Sequence, residues 1–278
     1  GPFTSGNLLP SVPVIQGTEH KLLVVSPTVS ADSLSGIDDN IIRLMPPTTS
    51  QSNLLIRWIS EQKYTKNAII YDSRNTGYTD KLVENFQKLY LEKIGTSPLV
   101  LPYDPSSGTE TNQVLKWLID EKLQTISVIC SAEDTAHVIS QYSKLGEPVQ
   151  WLGALWANTS ELLKKGGLSI ENMILVNAIS LEQTHEKYMD FAKNYAARYG
   201  EKHSFSSVFS YESTMAIKDA IESSKSFKPN DVRKALTALG QFDGLQTTIQ
   251  IDAYGDCSRE LFLMRIANGQ LVDAQLIK

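Results

Sequence analysis

Ala68-Ile69-Ile70-Tyr71 runs into Asp72-Ser73, and Leu82, Val83, Phe86, Leu89 and Tyr90 then recur before Gly95. The first run reads as a buried strand that stops at a polar turn. The second falls at i, i+1, i+4, i+7 and i+8, the stripe of an amphipathic helix, and Gly95 is its stop. The same strand-turn-helix unit repeats on either side. Leu22 to Val25 reads as an earlier strand, followed by Leu54, Leu55, Trp58 and Ile59 at helical spacing. Downstream, strands at Leu99-Val100-Leu101, Ile126 to Cys130, Val149 to Leu152 and Ile174-Leu175-Val176 alternate with helices. Those helices are marked by Val114, Leu115, Leu118 and Ile119, by Ala136, Val138, Ile139 and Tyr142, and by Glu161 to Lys165. Short strands apolar on both faces, separated by helices, point to parallel βαβ units and an α/β fold.

The pattern changes after about Ser180. Lys187 to Tyr199, Ser206 to Ser223 and Asp231 to Leu239 read as three successive helices, the last stopped by Gly240. The chain then returns to β structure at Thr248 to Ile251 and Leu261 to Ile266. Asn268-Gly269 before Leu271-Val272 is a strong hairpin signal. Two lobes are expected, one from residues 1–46 with 181–247 and one from 47–180 with 248–278. Pro46-Pro47 stiffens the passage between them.

The 278 residues carry a net charge of −5 and 41% hydrophobic residues. That supports a sizeable core and excludes nucleic acid as the main partner, because no basic stripe is available to displace counterions. No apolar run is long enough to span a bilayer. The two cysteines, Cys130 and Cys257, make no disulfide framework, and Cys130 reads as a buried small hydrophobe. His20, His137, His185 and His203 lack metal-ligand spacing, and no phosphate-binding glycine loop or nucleophile elbow occurs. No cofactor, no metal and no enzymatic activity are expected. Asp38-Asp39 and Glu133-Asp134 read as helix-start or solvated carboxylates, and Asn158-Thr159-Ser160 fits the glycosylation sequon.

Two clusters of small hydroxyl residues stand at breaks in the pattern: Gly1-Pro2-Phe3-Thr4-Ser5-Gly6, and Ser26-Pro27-Thr28-Val29-Ser30 directly after the first strand. They are either ordinary turns or a cradle of hydroxyls and backbone N–H groups beyond a strand's carboxyl end, where open α/β sheets bind ligands.

With these segments placed, the chain resembles the type I periplasmic binding proteins, specifically the branched-chain amino-acid branch that serves ABC importers. The first cluster resembles that branch's first ligand turn, and Leu23 to Ser30 its second strand and turn. Ile41 to Pro46 is similar to its lobe-crossing segment. Ile69 to Asp72 with Thr76-Gly77-Tyr78 is similar to the first strand and loop of its second lobe. Phe242-Asp243-Gly244, Ile251 to Asp256 and Asn268 to Leu271 resemble its closing motifs.

The resemblance implies a two-lobed fold of parallel sheets flanked by helices, closing on a small ligand, with a membrane permease as partner. The location implied is periplasmic or extracellular, with a lipid anchor on the full-length form as one option. Residue by residue, Ser5 is implied to donate to a ligand carboxylate, and Thr28 to offer its backbone carbonyl to an ammonium. Ser30 is implied to contribute hydroxyl and N–H, with Val29 in the same turn. Thr76 and Glu133 stand where the family often has aromatic residues. Leu155 or Ala154, before Trp156, stands where it usually has an acid for the ligand ammonium. Either Glu133 supplies that carboxylate, or the ligand has no ammonium. Trp156 and Tyr211 line either the site or the core. The ligand expected is an amino acid or a related carboxylate or amide.

The family begins with about two more βα units, roughly 60–80 residues. The first lobe is therefore expected to be incomplete, with an apolar strand edge open to self-association. The alternative function is a sensor or protein-binding module of the same fold, without transport.

Overall fold

The computed structural model describes residues 1–17, 22–106, 111–146, 148–181 and 185–274. His20 lies outside them. The chain forms two compact units, Gly1–Thr48 with Glu182–Glu260, and Thr49–Leu181 with Leu261–Lys278.

The first unit opens with two short helices, α1 (Ser5–Leu8) and α2 (Val12–Gly17), then strands β1 (Val24–Ser26) and β2 (Ile41–Arg43). β1 and β2 pair in parallel, Val25 opposite Ile42. The chain next builds the second unit. It runs through α3 (Thr48–Glu61), β3 (Asn67–Asp72), α4 (Thr76–Ile94), β4 (Leu99–Tyr103) and α5 (Thr111–Asp120). It continues through β5 (Thr125–Ile129), α6 (Ala132–Ser143), β6 (Gln150–Gly153), α7 (Ser160–Gly166) and β7 (Ile174–Asn177). Returning to the first unit, it forms α8 (Glu186–Tyr199), α9 (Phe205–Ser224), α10 (Pro229–Leu239), β8 (Gln241–Asp243), β9 (Thr248–Ile251) and β10 (Cys257–Ser258). It ends in the second unit with β11 (Phe262–Ala267) and β12 (Gln270–Asp273).

The second unit's sheet has the order β12-β11-β7-β6-β5-β3-β4. β3 to β7 are parallel, and the β11–β12 hairpin joins antiparallel at β7. The hairpin turns through Asn268 and Gly269, both at positive φ. Two successive left-handed residues match the right-handed twist of the strands, which is why Asn-Gly works there. Ala68, Ile70, Ile126, Val128, Leu175, Val138 and Ile139 belong to one apolar core cluster of this sheet and its helices. Strand order reverses at β3, because β4 lies on one side of it and β5 on the other. The carboxyl ends of β3 and β5 therefore flank the switch point where open α/β sheets take ligands.

The first unit has two clusters. Val25, Ile42, Leu44, Ala216, Val232, Leu236 and Ile251 pack together under α9 and α10, and Leu8, Ile15, Val29, Ala31, Leu34 and Ile41 pack around the opening helices. Residues 248–258 correct the sequence reading, which put them in the second lobe. Ile251 pairs with Cys257, and Thr248 with Asp243, in a three-stranded antiparallel sheet of the first unit. Apolar alternation marks these residues as strand without saying which sheet receives them. The Asn158 sequon also proves structural: Asn158 is buried and donates from Nδ2 to the Val176 carbonyl at 3.1 Å. Of the paired carboxylates, Asp38 meets Arg233 at 2.6 Å, but Asp39 is buried and accepts from the Ile41 N–H at 2.9 Å. Burial raises the Asp39 pKa.

Cys130 and Cys257 are both free and buried, one in each unit. Burial pushes the Cys257 thiol up to about 12 and the Cys130 thiol well above its ordinary value. Neither offers a reactive thiolate at neutral pH.

His203 sits among aromatic rings, with Tyr188, Phe191 and Tyr195 centroids at 5.2, 5.5 and 6.2 Å. Its Nε2 is 3.1 Å from the Tyr188 hydroxyl. Burial holds its pKa below the ordinary 6.5, and Lys202 pushes the same way. The neutral ring is thus favoured in the folded state. Its contribution is complete above pH 6.5 and is lost as the pH falls from there toward the folded value. The melting temperature is expected to drop between pH 7 and pH 5, and His203→Phe to flatten that drop. An unchanged slope in the variant would place the acid sensitivity elsewhere.

Candidate functional site

In the first unit, the opening residues are stitched to the turn after β1. Ser26, fully buried, donates from Oγ to the Pro2 carbonyl at 2.7 Å and accepts from the Val29 N–H at 3.3 Å. Thr28 donates from Oγ1 to the Phe3 carbonyl at 2.5 Å. Gly1 passes so close to β1 that a Cβ would meet Val24 Cγ1 and the Val25 carbonyl oxygen, both at 2.9 Å. The two hydroxyl clusters, separated in sequence, thus form one feature at the carboxyl end of β1.

Ser5 lies in the first turn of α1, with Thr4 as N-cap accepting from the Asn7 N–H at 3.3 Å. Ser5 and Ser30 are only 3% and 2% exposed, yet neither hydroxyl bonds a protein group among the described residues. The Thr28 carbonyl likewise accepts nothing among them. Val29 differs. Its side chain is core and its N–H is spent on Ser26, so it can face a ligand only through its carbonyl.

Two residues that sequence reasoning missed hold this turn. Arg43, in β2, donates from Nη1 to the Ala31 carbonyl at 2.6 Å and from Nη2 to Ser35 Oγ at 3.0 Å. The Ser30 carbonyl accepts from the Thr48 N–H at 3.0 Å, and the Thr48 hydroxyl bonds Asp32.

In the second unit, the expected residues fall in three places. Thr76 opens α4, exposed and without a side-chain partner among the described residues. Glu133, in the first turn of α6, is exposed and accepts from Lys165 Nζ at 2.6 Å. Lys165 holds the Glu133 carboxyl below its usual range. It lines an open pocket of about 490 Å³ with Tyr103, Asp134, His137, Ser140 and Lys165. Neither Thr76 nor Trp156 is part of that lining. Tyr211, an aromatic candidate of the first unit, is 43% exposed and packs on Phe191 at 5.1 Å.

Leu155 and Trp156 sit in a 3-10 turn, Leu155–Ala157, directly after β6. Leu155 is buried, whereas Trp156 keeps partial exposure and meets the Tyr78 ring edge-on, centroids 5.7 Å apart. Tyr78, two residues past Thr76, is itself buried. No acid stands on the turn. The carboxylates nearest the switch point are occupied. Asp72, at the end of β3, takes Arg74 Nε at 2.9 Å and Nη2 at 2.7 Å, and Asp134 takes the same Nη2 at 2.5 Å. Ser131 Oγ also donates to Asp134, at 2.9 Å. Arg74 was not legible as a site residue because one of its two partners, Asp134, comes from the first turn of α6, 60 residues on.

A family model described as periplasmic binding protein matches residues 1–270. No curated protein matches the sequence. Among solved structures, a leucine-binding protein LivK from Thermotoga maritima is 19% identical, with a TM-score of 0.89 over 98% of this chain and 77% of that one. LivJ from Streptococcus pneumoniae, in complex with isoleucine, is 17% identical, with a TM-score of 0.84 over 98% and 76%. A solute-binding protein from R. palustris, in complex with benzoate, is 13% identical, with a TM-score of 0.82 over 97% and 74%.

Proposed function

This chain belongs to the periplasmic binding protein family, and we propose that it captures a small polar ligand outside the cytoplasm and delivers it to the permease of an ABC importer. The ligand class is an amino acid or a related carboxylate or amide. The observation that carries the reading is that Ser5 and Ser30, both largely buried as residues, keep hydroxyls that bond no protein group among the described residues. Neither hydroxyl is among the sealed, unpartnered side-chain atoms, so each is open to solvent and free to bond a ligand oxygen in place of water. The Thr28 carbonyl adds an acceptor for an N–H or ammonium. The solved relatives bound to isoleucine and to benzoate support a carboxylate as the shared element.

Thermal melting against leucine, isoleucine, benzoate, succinate and acetamide tests this. A ligand bound only by the native state stabilises by about 2.7 kcal/mol at a hundredfold excess over its dissociation constant. A hydrogen bond to a charged group contributes about 1.5–3 kcal/mol. Ser30→Ala is therefore expected to weaken the binding compound about tenfold, since each tenfold is about 1.4 kcal/mol. No shift with any compound, or equal binding by Ser5→Ala and Ser30→Ala, sinks the reading.

A further inference from the structure

Gln51, in the first turn of α3, is 1% exposed and lies 104 residues from its main partner. Its Oε1 accepts two hydrogen bonds, from the Leu155 N–H at 3.0 Å and from the Tyr78 hydroxyl at 3.1 Å. One oxygen thus ties the turn after β6 to the first turn of α4, both at the carboxyl edge of the sheet. The consequence is chemical as well as mechanical. The Leu155 N–H and the Tyr78 hydroxyl are polar groups that could otherwise face a ligand, and Gln51 turns both inward. Ala154, Leu155 and Ala157 are buried. What remains toward solvent is the Trp156 ring, braced edge-on by Tyr78.

We infer that Gln51 is a positioning residue that sets the Trp156 ring, and that the subsite so formed takes an uncharged planar group of the ligand, an aromatic ring above all. Ring-on-ring contact is favourable beyond its buried area. A charged group there finds no counter-charge on residues 154–157. The inference rests on the proposed binding function and concerns the second unit alone.

The test uses the whole chain, with benzoate, leucine and acetate as probes, read by thermal melting and by tryptophan fluorescence. Benzoate is expected to bind at least tenfold more tightly than acetate, with an emission change that Trp156→Phe removes. Gln51→Leu removes the acceptor. It is expected to shift Trp156 emission without any probe, and to weaken benzoate at least tenfold while leaving acetate unchanged. Gln51→Glu keeps an acceptor oxygen at the same reach and is expected to restore benzoate binding. A Gln51 that only supports the fold weakens all probes alike, which overturns the positioning role. Equal binding of benzoate and acetate to the unsubstituted protein overturns the aromatic subsite while leaving the binding function standing. Failure of all three probes to bind removes the proposed function itself, and the subsite with it. Unchanged Trp156 emission in Gln51→Leu rejects the positioning role independently of any probe.

Discussion

Arg43→Leu is expected to destabilise the first unit by about 3–5 kcal/mol, the usual result of stripping one partner from a buried ion pair. Arg43 is 1% exposed. Its guanidinium reaches Asp256 through Nε at 3.2 Å and again through Nη2, besides the Ala31 carbonyl and Ser35. Asp256 in turn accepts from the Gly36 N–H at 2.7 Å. Removing the arginine therefore leaves the Asp256 carboxylate without its counter-charge and the Ala31 carbonyl without its side-chain donor, and it releases the segment that follows Ser30. Urea unfolding followed by circular dichroism reads the stability. The companion variant Arg43→Leu with Asp256→Asn is expected to lose less, because no uncompensated charge remains. A loss below about 1 kcal/mol for Arg43→Leu, the level of an exposed pair, would contradict the argument. Ligand binding is expected to suffer along with stability, because Arg43 holds the chain immediately beyond the hydroxyl turn.

Glu212→Leu is expected to cost a similar amount, about 3–5 kcal/mol. Glu212 and Arg259 are each 2% exposed and meet at 2.7 Å. Glu212 Oε1 also accepts from the Leu245 N–H at 2.8 Å, and the Arg259 guanidinium lies 3.9 Å from the Phe209 ring centroid. The site is tightly filled, since a Cβ on Gly244 would sit 2.7 Å from Glu212 Oε1. Leucine leaves the Arg259 charge buried with only the ring against it. Pairing Glu212→Leu with Arg259→Met is expected to recover most of the loss, since apolar replacement of both partners is often neutral. If the double variant is no better than the single one, the cost comes from the Leu245 N–H rather than from the charge.

The alternating strands and helices of the second unit are legible in sequence because each strand is a short apolar run and each helix carries its own stripe. Asn268-Gly269 is legible because few residue pairs accept that turn. Other features left weaker marks. The opening helices are hidden by Pro2, Pro10 and Pro13, which read as turns, and by their length of four and six residues. β8 has three residues and little burial. The assignment of residues 248–258 to a sheet depends on pairing, which periodicity does not encode. The hydroxyl turns could be found as Ser and Thr clusters at a strand end. Gln51 and Arg74 could not, because each is a single polar residue with a partner brought up only by the fold, Leu155 for Gln51 and Asp134 for Arg74. Glu133 looked available in sequence, and Lys165, 32 residues on, takes it.

The two thiols, one sealed in each unit, make this chain a convenient object for distance measurement. A dye reagent added to the unmodified protein is expected to leave Cys130 and Cys257 untouched. One cysteine introduced at an exposed position of each unit, such as Lys88→Cys and Lys218→Cys, would then be the sole pair of handles. Energy transfer between dyes on that pair can follow the spacing of the two units directly, with and without benzoate or leucine, without first removing the native cysteines from their cores.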